Sequence, residues 1–361
     1  MPYILTSGIQ EADYSAKQST VQDMIDDLFP LKPHEKKRLL PIFENAHISE
    51  SAISQPLDWF RTSHGLKERN EIYQDKALRY SIGAVEKCLN NKELLKDKVI
   101  PSEIDHILFV SSTGIATPTL DTYIMNEMGM RENVKRTPLF GLGCAGGTSG
   151  VGKAYEWLLG NPEGNVLVIC VELCSLTFQR KDPRVSNFVG TALFGDGASA
   201  VLLTGDASTL NEKRRGSVPK ITGFDSKTKK HSTDVMGWRI VDTGFEVIFN
   251  KSIPKLVRDF WSGHAKEVLD RNGWRVEELP FLIAHPGGRK VLESYQEIFG
   301  LDPSVLRHSS EVLARHGNMS SPTVHFVLDR VLQDRPHKGV KSLMASLGPG
   351  FSSEIVSLEW V

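Results

Sequence analysis

The chain has 361 residues, 40 % of them hydrophobic and 24 % charged, with 43 basic against 44 acidic side chains. That length supports two packed halves of ordinary domain size, and the composition is that of a globular protein. A net charge of −1 excludes a chain-wide electrostatic pull toward nucleic acid or an anionic bilayer, so an anionic substrate has to be held by a local patch.

Taken in chain order, Met1-Pro2-Tyr3-Ile4-Leu5-Thr6-Ser7 lacks the basic start and long apolar stretch of a signal peptide. No apolar run is long enough to span a bilayer, so a cytoplasmic location without membrane insertion is expected. Ala77, Leu78, Ile82, Val85, Cys88 and Leu89 recur at helical spacing, and Asn90-Asn91 ends the run. His106–Ser112 and Asn165–Val171 are short, apolar and β-branched, as strands covered on both faces are.

Between them lies Leu139–Gly147, which sets Cys144 among glycines at an expected strand-to-helix junction. The partial positive charge of a helix start favours thiolate over thiol, and glycines let a thioester come close. The chain holds four cysteines, Cys88, Cys144, Cys170 and Cys174. They form no CxxC pair, and no histidine stands at zinc-ligand spacing, so no metal site is expected. Three of the four read as small core residues, with Cys170 and Cys174 on one face of a strand.

Further on, Gly195–Leu203 pairs a glycine turn with a strand, and Asn211–Gly216 reads as a polar connector. Ile253 to Leu269 has helical periodicity stopped by Asn272-Gly273. Phe281–His285 and Lys341–Ser346 read as strands. His285 ends the first of these, followed by Pro286-Gly287-Gly288; Asn318 lies in His316–Pro322, ahead of the helical pattern Val324, Val327, Leu328 and Val331. Alone, Asn318 reads as a helix N-cap and His285 as a turn residue. Strands alternating with helices indicate an α/β fold. Ile104–Ser111 resembles Leu279–His285, and Gly195–Leu203 resembles Gly348–Leu358. This faint duplication suggests an N-terminal half over residues 1–210 and a C-terminal half over 211–361.

A cysteine at a helix start, HPGG after a strand and GNMSSPT before a helix, in that order, resemble the signature of type III polyketide synthases, the chalcone synthase-like members of the thiolase superfamily. Val189–Ala198 and the Gly348-Pro349-Gly350 loop extend the resemblance, which runs from about residue 59 to 361. It implies a five-layer αβαβα sandwich of two duplicated halves, and a homodimer. Cys144 would carry the acyl chain, with His285 as its base and Asn318 as the partner of His285. Phe194 would shield the site and assist malonyl decarboxylation. Ser112, Glu172 and Ser320 match a hydrogen-bonded network beside the cysteine; Cys174 and Thr177 match cavity positions, and Thr117 the position that reaches toward the partner's cavity. Val247 stands where plant members carry a bulky phenylalanine, which implies a wider cavity or entrance. Arg61, Lys67 and Arg69, with Gly287 and Gly288, are the candidates for gripping coenzyme A.

The activity implied is iterative condensation of malonyl-CoA onto an acyl-CoA starter, then closure to a pyrone or phenolic ring. Coenzyme A thioesters would be substrates, with no permanent cofactor and no carrier protein. A medium- or long-chain fatty acyl starter fits Val247 best, with aromatic or malonyl starters as alternatives. A ketoacyl synthase III-like enzyme shares the Cys/His/Asn trio but condenses once, on a carrier-bound malonyl group; GNMSS and Gly348-Pro349-Gly350 speak against it. Retention of the whole trio speaks against a non-catalytic scaffold subunit.

Overall fold

The computed structural model describes residues 1–250 and 252–361. Its main sheet has nine strands in the spatial order Ile283–Ala284, Lys341–Gly348, Ser352–Trp360, Pro219–Thr228, Tyr3–Glu11, Asp196–Thr204, Asn165–Leu173, His106–Val110 and Lys135–Leu139. The two halves meet where Tyr3 faces Lys220, a much shorter contact than the ladders that flank it on either side. From that seam outward both halves repeat one pattern: antiparallel, antiparallel, then parallel. The first half adds one more parallel strand, Lys135–Leu139. The segments that resemble each other in sequence fall on equivalent strands of the two halves.

Strand alternation separates three apolar layers. In Asn165–Leu173, the side chains of Val166, Val168 and Cys170 join one core, and those of Leu167, Ile169, Val171 and Leu173 another. The first core holds the helices Gly146–Leu159 and Thr323–Gln333 between the two half-sheets, with Met344, Val356, Leu358 and Trp360 on its far wall. Helix Leu66–Leu89 covers the outer face of the first half. Helices Ser262–Asn272 and Arg289–Phe299 cover the outer face of the second. This is the five-layer αβαβα sandwich. Both half-sheets are covered on both faces, and each fully buried Val or Leu adds about 1.5–3 kcal/mol.

Several elements depart from the expectations above. The strand expected over Phe281–His285 shrinks to Ile283–Ala284, because Pro280 and Pro286 bring no N–H and close it at both ends. The helix around Ile253–Asn272 carries one π turn, Val257–Trp261, which directs Trp261 onto Tyr295 and Phe299. It stops at Gly273, whose φ of 64° only glycine adopts cheaply. Cys170 and Cys174 do not share a face: the strand ends at Leu173, so Cys170 enters the central layer while Cys174 turns toward Phe194 and Val247. Cys88, Cys170 and Cys174 are buried, as expected of core residues, and Cys144 is half-buried.

Outside the sandwich, helices Gln18–Leu28, Pro33–Leu39 and Pro41–Asn45 form a cap with its own aromatic core of Phe29, Phe43, Phe60, Phe178 and Phe188. A hairpin, Met236–Val241 paired with Gly244–Phe249, brings Trp238 and Val247 toward the same region. Among the described residues no helix is long and apolar enough to cross a membrane.

Candidate active site

Cys144 sits in a tight turn, Gly143–Ala145, that runs straight into helix Gly146–Leu159. Two glycines make the turn possible. Gly143 has a φ of 49°, and a Cβ there would stand 2.9 Å from the Pro349 ring; a Cβ on Gly348 would lie 2.8 Å from the Ala145 nitrogen and 2.6 Å from the Leu142 carbonyl oxygen. The Gly348-Pro349-Gly350 loop therefore presses directly on the turn that carries the sulfur.

Asn318 is held from both sides. Its N–H donates to the Leu193 carbonyl at 2.7 Å, and its carbonyl accepts from the Gly195 N–H at 3.0 Å, so it bridges to Phe194. Its side-chain Oδ1 accepts from the Ser320 N–H at 2.8 Å, and Nδ2 donates to the Gly287 carbonyl at 3.3 Å. Both side-chain atoms stand 3.8 Å from the Cys144 sulfur. Asn318 is not an N-cap, because Pro322 occupies that place before Thr323–Gln333.

His285 follows the short strand, its N–H donating to the Ala345 carbonyl at 2.8 Å. Its ring is 2 % exposed, and among the described residues neither ring nitrogen has a hydrogen-bond partner. Gly287 links it to Asn318: the Gly287 N–H donates to the His285 carbonyl at 2.9 Å, and the Gly287 carbonyl takes the Asn318 amide. The structure thus joins Cys144 to Asn318 by contact and His285 to Asn318 through Gly287, while no hydrogen bond joins the imidazole to the sulfur.

Burial dominates the electrostatics. It pushes the Cys144 thiol up to about 11, although hydrogen bonds from Ser320 and Asn318 pull it down; the nearby Glu172 charge adds to the rise. The expected thiolate-favouring effect of the helix start is outweighed, because removing a lone charge from water costs more than a partial dipole returns. Burial also lowers the His285 imidazole to about 3. Burial thus opposes a charge on either group taken alone.

Glu172 is fully buried, and burial raises it to about 7. It accepts from the Ser112 backbone N–H at 2.9 Å, the Thr113 hydroxyl at 2.8 Å and the Ser321 hydroxyl at 3.0 Å. The expected network is corrected in two places. Ser112 contributes its backbone, while its hydroxyl accepts from Gly143 N–H at 3.3 Å. Ser320, with φ 61°, turns toward Asn318 and Cys144, and Ser321 takes its place beside Glu172. Thr113 and Ser321 are each one residue from a position named in the sequence, and loop phase is the part a pattern does not reveal.

An apolar pocket adjoins the trio. Cys174, Thr177, Gly190, Phe194 and Val247 line its near end, and Val21, Met24, Leu57 and Phe60 close its far end. Phe194 packs on Trp238 at 5.5 Å and Phe249 at 5.6 Å. Val247 does line the pocket, but the wider space expected from it is not open. The free volume is about 40 Å³, room for about three waters at roughly 10–15 Å³ each. Trp238 and Phe249 pack against the cluster of Cys174, Phe194 and Val247.

The candidates for gripping coenzyme A scatter. Arg69 is 6 % exposed, donates to the Leu176 and His64 carbonyls, and is lowered to about 10 by burial; it ties the helix to the site floor. Arg61 is engaged by Asp27 and Asp58 at 3.4 and 3.5 Å. Lys67 stands in solvent beside Glu71. Gly287 anchors Asn318, and Gly288, with φ 151°, opens helix Arg289–Phe299 against Leu193. Thr117 is exposed on a surface loop, away from this chain's own pocket.

A half-exposed thiol, a buried unpartnered imidazole and a clamped carboxamide between two duplicated half-sheets define a thiolase-fold condensing enzyme. The comparisons narrow the class. The model of the chalcone and stilbene synthase N-terminal domain matches residues 47–207, and that of the C-terminal domain residues 227–360. The chain is 38 % identical over its whole length to a Bacillus subtilis (strain 168) protein provisionally named chalcone synthase, covering 99 % of that protein. It is 34 % identical to the 1,3,6,8-tetrahydroxynaphthalene synthase of Streptomyces peucetius subsp. caesius, covering 95 % of this chain and 89 % of the relative. The crystal structure of 1,3,6,8-tetrahydroxynaphthalene synthase from Streptomyces coelicolor A3(2), a bacterial type III polyketide synthase, superposes with a TM-score of 0.91 at 25 % identity, covering 99 % of each chain. The chain belongs to the chalcone and stilbene synthase family and is a type III polyketide synthase, an acyltransferase that uses coenzyme A thioesters.

Proposed function

We propose that this enzyme loads a medium- or long-chain fatty acyl group from coenzyme A onto Cys144, extends it with malonyl-CoA and closes the product to a pyrone or phenolic ring. The observation that carries the starter is the apolar pocket that begins at Phe194 and Val247 and ends on Val21 and Met24. Its lining suits an alkyl chain.

Acylation needs a thiolate. Proton transfer from Cys144 to His285 creates two opposite charges together, so each offsets the burial that keeps the other neutral; as the acyl bond passes to Cys144, the coenzyme A sulfur leaves with the proton from His285. Once Cys144 is acylated, the unpartnered ring nitrogen of His285 and the Asn318 Nδ2 are the donors available to a malonyl thioester carbonyl. Loss of CO2 turns that carbonyl into an enolate oxygen. Such a donor is worth about 3 kcal/mol in the transition state. Phe194 excludes water that would quench the carbanion. The carbanion attacks the thioester carbonyl, Cys144 leaves as thiolate, and the lengthened chain returns to it. The active form is proposed as a homodimer in which Thr117 faces the partner.

A malonyl starter is the second reading, favoured by the small free volume. Product mass analysis with malonyl-CoA and acyl-CoA starters of increasing length decides between them. Alkyl-chain triketides and tetraketides that require the fatty starter support the first reading; an unchanged product with and without it selects the second.

A further inference from the structure

The segment that carries His285 runs straight into helix Arg289–Phe299, which opens after Gly288 and buries Val291, Leu292, Ser294 and Tyr295. Val291 stands at the His285 end: a Cβ on Gly287 would lie 3.6 Å from both Val291 Cγ2 and His285 Cδ2, and 3.8 Å from His285 Nε2. Tyr295 follows one turn later, about 5.4 Å along the same face. Helical side chains lean back toward the N-terminus, and a tyrosine side chain is long enough to cover one turn. This lean carries the Tyr295 hydroxyl toward His285. Tyr295 is fully buried, and among the described residues its hydroxyl has no hydrogen-bond partner. Burial holds the phenol well above its ordinary value and a charge on Cys144 raises it further, so the sulfur lies within electrostatic reach. The π turn Val257–Trp261 sets Trp261 against the Tyr295 ring with centroids 4.2 Å apart, and Phe299 backs Trp261 at 5.5 Å; π turns often mark functional sites. Charged neighbours on the helix and the π turn are engaged elsewhere, Arg289 with Glu293 and Arg258 with Glu297.

A base that activates a nucleophile is itself oriented by a third group. Among the described residues no carboxylate pairs with the His285 ring. We propose that Tyr295 is that third group, a positioning residue whose hydroxyl oxygen accepts from the outer N–H of His285 while the inner nitrogen takes the Cys144 proton. The inference rests on the proton transfer proposed above. One proton moves, from the sulfur to the inner ring nitrogen, and the phenol keeps its own. Both groups are open in this structure, and a charge on the ring is what draws the hydroxyl in. A neutral acceptor suits the place: it steadies the imidazolium while the ion pair exists, and it leaves no second charge buried when His285 returns to neutral. The Trp261 and Phe299 rings fix the phenol in the plane from which it can reach the imidazole.

The test is the rate of Cys144 alkylation by iodoacetamide against pH, followed on the Cys144 peptide by mass spectrometry in wild type, Tyr295→Phe, His285→Leu and the double variant. Near pH 7 the rate reports thiolate made by proton transfer to His285; above about pH 10 it reports thiolate made by hydroxide. Tyr295→Phe should slow alkylation on the order of tenfold or more near pH 7, the loss of one hydrogen bond to a charged group, and stay within about twofold of wild type above pH 10. In the His285→Leu background it should add nothing. Turnover should fall by the same factor with KM for malonyl-CoA held, while the melting temperature holds or rises, because an unpartnered hydroxyl is removed and the ring is kept. A rate near pH 7 within twofold of wild type, an equal loss at both pH values, or a further loss in the His285→Leu background overturns the proposal. The single variants tell the two failures apart: if His285→Leu slows alkylation near pH 7 and Tyr295→Phe does not, only the role of Tyr295 falls; if neither does, the proton transfer to His285 falls with it.

Discussion

Glu172 and His285 both lie inside the protein beside Cys144, and burial opposes the charge of each. Their surroundings differ. Glu172 receives three donors, from Ser112, Thr113 and Ser321, whereas the imidazole of His285 receives nothing. A buried polar group normally finds a partner. Glu172 is supplied by the scaffold, whereas the open ring nitrogens of His285, in the segment that also anchors Asn318 through Gly287, leave a partner for a substrate to supply. The first half of the molecule thus supports the sulfur with a finished polar cluster, and the second half leaves a donor free for the reacting carbonyl.

Replacing each group by a hydrocarbon should separate the two roles most sharply. His285→Leu should cut turnover on the order of 10²–10³-fold, while thermal stability holds or rises because two unsatisfied nitrogens are removed. If it instead melted well below wild type, the imidazole would be structural. Glu172→Leu should do the reverse and orphan three donors, each costing roughly 1–3 kcal/mol; denaturant unfolding measures the loss.

A smaller effect is expected in the pocket. A Cβ on Gly190 would stand 3.2 Å from Val247 Cγ1 and 3.3 Å from Phe194 Cε2, so Gly190→Ala should narrow the near end and shift starter preference several-fold toward shorter chains. Val247→Phe should act in the same direction. An unchanged starter profile in both variants would remove the argument from side-chain volume.

The smallest effect is a pH dependence. Glu172 is raised from 4.5 to about 7, so the folded state binds its proton more tightly than the unfolded chain does. Its contribution is complete below 4.5 and is lost as pH rises through about 7. Glu172→Gln keeps the acceptor and lacks the charge. It should melt about 2–4 °C above wild type at pH 8 and within a degree of it at pH 5; an equal shift at both values would mean that ionisation is not the cause.

Much of the site was legible because its chemistry is tied to local pattern. Cys144, His285 and Asn318 each stand in a segment whose glycines and flanking strand or helix mark a turn, and the paired strands show as weak internal similarity. What was not legible depends on packing. The phase of the loops at Ser112 and Ser320 decides which hydroxyl reaches Glu172. The aromatic cap over the pocket brings Met24, Phe60 and Phe178 together from distant stretches. Trp238 and Phe249 pack around Val247 and Phe194. The resemblance proposed Arg61, Lys67 and Arg69, yet only partners in space show that Arg61 is engaged and Arg69 buried.

The central claim is that Cys144 holds the acyl chain in a site completed by His285 and Asn318. Intact-protein and peptide mass spectrometry after brief exposure to a fatty acyl-CoA tests it most directly. The account expects one acyl group per chain, on the peptide containing Cys144, discharged by malonyl-CoA in the wild type and loaded far more slowly in His285→Leu, which lacks the base. An enzyme that stays unmodified, or carries the acyl group on another residue, would contradict it.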